Sequence, residues 1–91
     1  MQIRWSPEAA NDLNQIVQHI RKQNPGAGLR IARTIYKAVG RLNTFSNRCR
    51  LGRVDGTREL VLSPLPFIVV YRVTKIAVEI ARVLHGAQRW P

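Results

Sequence analysis

Histidine, arginine and glutamate in the C-terminal half of this chain carry the side chains that could do acid-base or phosphate chemistry. His85 follows Arg82 by three residues, and an imidazole, which titrates near neutrality, can serve as general acid or base. Arg58, Arg72 and Arg82 could supply cations to a phosphate, and Glu59 and Glu79 are candidate bases. Cleavage of RNA by attack of a 2′-hydroxyl needs a base, an acid and cations around the phosphate. Each residue also has a plainer reading. A glutamate beside an arginine on an exposed strand is more often an ion pair, and a single histidine in a small domain is more often structural or solvated.

Other chemistries find little support. The single cysteine, Cys49, cannot form an internal disulfide, and the two histidines, His19 and His85, show no metal-ligand spacing. No metal and no cofactor are expected. Arg48 and Arg50 would lower the pKa of the Cys49 thiol, but no partner marks it as a nucleophile. Residues 1–20 lack the apolar core of a signal peptide, and no apolar run reaches the roughly 18 residues of a membrane span. A cytoplasmic protein with no membrane partner is expected.

Charge is the strongest compositional signal. Fifteen Lys and Arg face five acids for a formal net charge of +10, above the magnitude of about 2 to 8 that solubility needs in a small domain. Such a field attracts polyanions or acidic proteins, and guanidinium binds phosphate and carboxylate bidentately. Arg48, Arg50 and Arg53 lie in a polar stretch with no acid before Asp55, which argues for a partner. Arg30, Arg33, Lys37 and Arg41 form a row at helical spacing, for which a solvated face is the plain reading. A chain of 91 residues forms one domain, 1–91, and buries about two-thirds of its unfolded surface in a thin core. A drug-sized cavity of roughly 300 Å³ or more would need walls that the core already uses. Function is expected on the surface, with no small-molecule substrate.

The elements that must position these residues are legible in order. Met1–Trp5 alternates weakly and reads as a short strand. Ser6 is a good N-cap, Pro7 suits the first helical position, and Glu8 and Asp12 favour the positive helix end. Ala9, Leu13, Ile16, Val17 and Ile20 then recur on one helical face up to Asn24-Pro25-Gly26. A second helix carries Ile31, Ile35, Ala38, Leu42 and Phe45 as its apolar stripe. The period then changes to 2: Thr57–Leu62, Phe67–Val73 and Ile76–Leu84 read as an antiparallel meander, with a tight turn at Thr74-Lys75. Trp5, Tyr36, Phe45, Phe67 and Tyr71 read as core, and Trp90 as an aromatic platform in a tail, Gly86–Pro91, that packs through it.

The order predicts an α+β fold with a helical hairpin on one face of the sheet. Strict alternation puts Val69, Tyr71, Val73, Val78, Ile80 and Leu84 under the helices. Ile68, Val70, Arg72, Ala77, Glu79, Ala81, Val83 and His85 then fall on an open, small-residued and polar face.

An ordered set of segments resembles a known family. The set is Trp5-Ser6-Pro7-Glu8-Ala9 with Asp12-Leu13 and Ile16, Asn24-Pro25, Gly56-Thr57-Arg58-Glu59-Leu60-Val61, Pro66–Val73 and, above all, Arg82-Val83-Leu84-His85-Gly86. It is similar to toxins of bacterial type II toxin-antitoxin systems in the RelE/ParE superfamily, over nearly the whole chain. The resemblance implies a helical hairpin on a curved, mainly antiparallel sheet to which the N-terminal strand is added. It also implies a cognate acidic antitoxin that wraps the toxin, with the hairpin residues Leu13, Ile16, Val17 and Ile20 receiving an antitoxin helix.

The two branches of that superfamily differ in target. RelE-like toxins cut mRNA on the ribosome, and ParE-like toxins poison DNA gyrase. Two arginines typical of the nucleases would fall at Ile68 and Gly86, where neither residue can stabilise a phosphate; Arg58, Arg82 and His85 are what remains of a nuclease set. Arg-Val-Leu-His-Gly looks more like the ParE branch. The expected function is therefore a gyrase poison with no catalytic residue, using Arg48, Arg50, Arg53, Arg58, Arg72 and Arg82 as contacts. A ribosome-dependent endoribonuclease is the alternative, and a non-toxic nucleic-acid-binding module is a third reading.

Overall fold

A computed structural model describes residues 1–86, 88 and 90. Of the tail Gly86–Pro91, the positions 87, 89 and 91 lie outside the described residues. The element order is β1 (Gln2–Trp5), α1 (Pro7–Gln23), α2 (Pro25–Gly40), α3 (Leu42–Phe45), β2 (Arg50–Leu51), β3 (Arg58–Val61), β4 (Phe67–Val73) and β5 (Ala77–His85). The five strands form one mixed sheet in the order β1-β5-β4-β3-β2. β1 runs parallel to β5, and every other pair is antiparallel. The α+β fold matches the expectation, with β2 added inside a stretch that reads as loop.

Local chemistry explains the helical hairpin. Ser6 Oγ accepts from the Ala9 N–H at 3.0 Å, and Pro7 follows as the first helical residue. Asn24 closes one helix and opens the next: its N–H donates to the Ile20 carbonyl, and its side-chain oxygen accepts from the Ala27 N–H. A single residue thereby reverses the chain between two helices, each satisfying orphan end groups that would otherwise face water. Gly28 lets the helices touch, since a Cβ there would run into the Arg21 side chain and lie 3.2 Å from the Val17 carbonyl oxygen.

The core sits between the hairpin and the sheet. Ala9, Leu13, Ile35, Val39 and Leu42 pack against Val69, Tyr71, Val78, Ile80 and Val83. The second helix is interrupted after Gly40, so the stripe expected to run through Phe45 stops at Leu42. Phe45 is exposed, as is Tyr36 on the flank of α2, where it meets Trp5 of β1 at a ring separation of 5.1 Å. Neither is the core residue expected; Phe67 and Tyr71 are.

The face assignment fails at one point and for one reason. β4 and β5 shift register between Val70 and Tyr71: Tyr71 pairs with Ile80 but Val70 with Arg82, leaving Ala81 as an extra residue. A bulge inverts side-chain parity beyond it. Val83 therefore lies in the main core and Leu84 on the opposite face, the reverse of the expected pattern. His85 comes to the helix side, edge-on to Phe67 at 6.0 Å. The other face is not simply small and polar, because Ile68, Val70 and Leu84 are buried there with Ala81 and Trp90 packed on them. Trp90 thus packs onto the sheet, as expected of the tail, and is not a free platform.

Candidate functional site

The bulge organises the first concave surface. Its backbone groups leave the ladder, and polar side chains of the first helix and its N-cap take them up: the Ser6 hydroxyl donates to the Ala81 carbonyl at 2.8 Å, and Asp12 Oδ2 accepts from the Val83 N–H at 2.9 Å. Asp12 also accepts from Arg82 Nε and Nη2 at 2.7 and 2.9 Å, a bidentate pair. The Asp12 carboxylate helps hold the guanidinium charged, raising the Arg82 pKa further. The other side of the guanidinium lies 5.4 Å from the Trp90 ring centre. Asp12 reads in the sequence as a helix-end charge; its tertiary role is to fix β5 on α1.

Beside this clamp, α1, the Leu65–Phe67 segment and the end of β5 enclose an open groove of about 720 Å³. Ile16, Ile20 and Ile31 give it an apolar floor, and His19, Arg82, His85 and Gln88 line it with polar groups. Of the four hairpin residues expected to receive a partner helix, Ile16 and Ile20 line the groove. Val17 is half-buried against the core, and Leu13 is a core residue with almost no surface to offer. Arg82 and His85 are thus brought together on this groove, and Arg58 is not among its lining residues.

A second site lies at the far sheet edge, around a buried carboxylate. Arg50 Nε and Nη2 donate to Glu59 Oε1 at 3.1 and 2.8 Å, and Arg53 donates its backbone N–H and Nε to Oε2 at 3.1 and 3.3 Å. The Glu59 side chain is 2 % exposed. Burial pushes its pKa up, but the Arg53 N–H and the two guanidinium groups outweigh that and hold it below the ordinary value. An ionised carboxylate engaged in four hydrogen bonds is a scaffold, not a general base. Gly56, at φ of 80°, supplies the left-handed turn that brings the chain back into β3. On the helix side, Arg58 donates to the Cys49 carbonyl at 2.8 Å, and the Tyr71 hydroxyl donates to the Ser46 carbonyl. Burial raises the Tyr71 pKa well above 10, which keeps the hydroxyl a donor. Arg48 is exposed and stacks over Phe45 at 4.9 Å.

Pairing leaves the arginine edge available. The Arg50 and Arg53 side chains remain 56 % and 43 % exposed, so Glu59 sets their directions while the outer guanidinium nitrogens face solvent. Arg72 stands apart on the open face, where the register places it beside Glu79 and Glu79 beside Arg4. These three border a shallow depression of about 590 Å³ that also reaches Trp5 and Trp90.

The model of the ParE toxin of type II toxin-antitoxin systems (parDE) matches residues 3–90. The chain belongs to the ParE toxin family. Its relatives agree: the Sinorhizobium fredii protein Y4kP is 40% identical over 89 residues, covering 98% of this chain and 92% of that one. Toxin RelE2 of Caulobacter vibrioides is 33% identical over 87 residues, covering 96% of this chain and 97% of that one. A chain of the chromosomal ParDE TA system from P. aeruginosa superposes with a TM-score of 0.87 at 30% identity, covering 93% of this chain and 95% of that one.

The ParE toxin therefore has an antitoxin as its partner. No helix among the described residues is long and apolar enough to cross a membrane. Sequence reasoning found the groove's apolar residues through their helical period. The organising roles of Asp12 and Glu59 are not visible in the sequence, because their partners lie on other elements; the surplus of arginine over acid is the signal that a buried acid would find an arginine.

Proposed function

We propose that this ParE toxin inhibits DNA gyrase, presenting Arg48, Arg50 and Arg53 from the β2 edge as its target contact, with Arg58 beside it on the helix side and Arg72 as a separate contact on the open face. The observation that carries this reading is the buried Glu59, which holds two arginines of one short hairpin in fixed outward directions. Pre-orienting charged side chains removes much of the entropy cost of ordering them at an interface. Of the residues an RNA-cleaving site would use, Arg82 and His85 share the groove, but Arg58 is engaged away from it on the Cys49 carbonyl, Arg82 is committed to Asp12, and Glu59 is held as an anion by arginine.

The antitoxin, in the same proposal, lays an amphipathic segment in the groove over Ile16 and Ile20. Helix-in-groove recognition uses such an apolar floor with polar margins, and the net charge of +10 favours an acidic partner.

Incubation with DNA gyrase, ATP and plasmid tests the target. Inhibited supercoiling or accumulated cleaved DNA is the expected result. No effect on gyrase, together with ribosome-dependent mRNA cleavage lost on replacement of His85, would replace this reading with the RelE-like one.

A further inference from the structure

We infer that the outer face of α2 is a binding stripe for the phosphate backbone of duplex DNA, separate from both the antitoxin groove and the arginine edge. Between Asp12 and Asp55 the chain contains no acid. Within that span Arg30, Arg33, Lys37 and Arg41 are all exposed, on α2 and at its C-cap. At 100° per residue the four fall within an arc of about 80°, on the side opposite the buried Ile35 and Val39. The stripe is about 17 Å long at 1.5 Å per residue, a length over which duplex DNA presents about ten phosphate charges.

The four cations have no carboxylate partner among the described residues; the ion pairs there belong to Arg50, Arg53 and Arg82. A helix face adapted only to water usually mixes signs, and like charges four residues apart, as in Arg33 with Lys37 and Lys37 with Arg41, oppose helix formation. The first turn of α2 has no acid either, so the positive helix end adds to the same field.

Duplex DNA fits this face better than an acidic peptide does. No apolar side chain of α2 falls inside the arc, whereas a peptide partner needs buried anchors as well as charge. Single strands are disfavoured too, because the exposed aromatics near the stripe are engaged, Tyr36 with Trp5 and Phe45 with Arg48.

The test is fluorescence anisotropy of a labelled 20-base-pair duplex with the purified full chain and no gyrase, so its outcome does not depend on which target is poisoned. With four phosphates neutralised, log affinity should fall with log salt at a slope of about −3.6, about 150-fold between 50 and 200 mM. The R33A/K37A variant should give a slope of about −1.8 and a loss of about 12-fold over the same range, and R30Q/R41Q should match it. K22A/K75A removes the same charge elsewhere and should keep the native slope. Circular dichroism confirms that all three are folded. A flat native salt response, equal losses in K22A/K75A, or a stripe defect seen with polyglutamate and not with duplex would overturn the inference.

Discussion

Asp12 and Arg82, seventy residues apart, form a bidentate ion pair with contacts of 2.7 and 2.9 Å, and the same carboxylate receives the Val83 N–H. One side chain on the first helix thereby serves both the charge and the backbone of the last strand, at the point where the bulge has disrupted the ladder. The clamp lies at the margin of the groove over Ile16 and Ile20, so it borders the surface proposed for the antitoxin.

Asp12→Ala should be the most damaging surface-adjacent change in the protein. It strands a half-buried guanidinium and a strand N–H together, a loss of about 2 kcal/mol. For a domain of this size that lowers the melting temperature by about 10 °C, measurable by thermal circular dichroism. Arg82→Lys should recover little, because an ammonium cannot make the two parallel bonds.

Glu59→Gln tests the arginine scaffold through pH. The folded-state pKa of Glu59 is lowered from 4.5, so its ion pairs contribute fully above the unfolded value and are lost as pH falls through the lower folded one. Native protein should lose urea resistance between about pH 5 and 3 more steeply than Glu59→Gln. At neutral pH the variant should be less stable by about 1 to 3 kcal/mol. Gyrase inhibition should fall with it, as Arg50 and Arg53 lose their fixed directions.

Tyr71→Phe should cost about 1 kcal/mol, the net worth of a hydroxyl-to-carbonyl bond plus an unpaired Ser46 carbonyl. Burial raises this hydroxyl's pKa in the folded state, so its contribution is present below pH 10 and lost as pH rises through the folded value. Urea denaturation of the variant should therefore show a flatter alkaline limb than the native chain.

Ile20→Asp should separate antitoxin binding from folding. Ile20 is half-buried at the groove floor, so a folded variant is expected, with antitoxin affinity down about 100-fold by calorimetry. Lys22→Ala, two residues on but off the groove lining, should bind as the native chain does.

Much of the architecture could be read locally. The Ser6-Pro7 start, the Asn24-Pro25 reversal and the Phe67–Val73 strand are encoded within a few residues of themselves, because caps, proline and side-chain period act over one turn or one pleat. Periodicity gives the shared helical face of Leu13, Ile16 and Ile20 but not the depth at which each lies, so Leu13 is buried in the core while Ile16 and Ile20 reach the groove. Phe45 was misassigned because the stripe was extended across a break at Gly40 that the spacing alone does not reveal.

The sequence by itself determined the order of the main elements, apart from β2 and the break after Gly40, the helical hairpin on a sheet, and the large positive charge, since each is a sum of local or compositional terms. Only the tertiary structure decided which arginines are claimed by an acid and which are left exposed to solvent. Charge pairing depends on registers between distant strands, and those put Arg50 opposite Glu59 and Arg82 against Asp12 while leaving Arg33 and Lys37 in solvent. The extra residue at Ala81 was equally invisible, because a bulge is a property of two strands in register. That one residue turns His85 toward the helices and sends Leu84 to the other face.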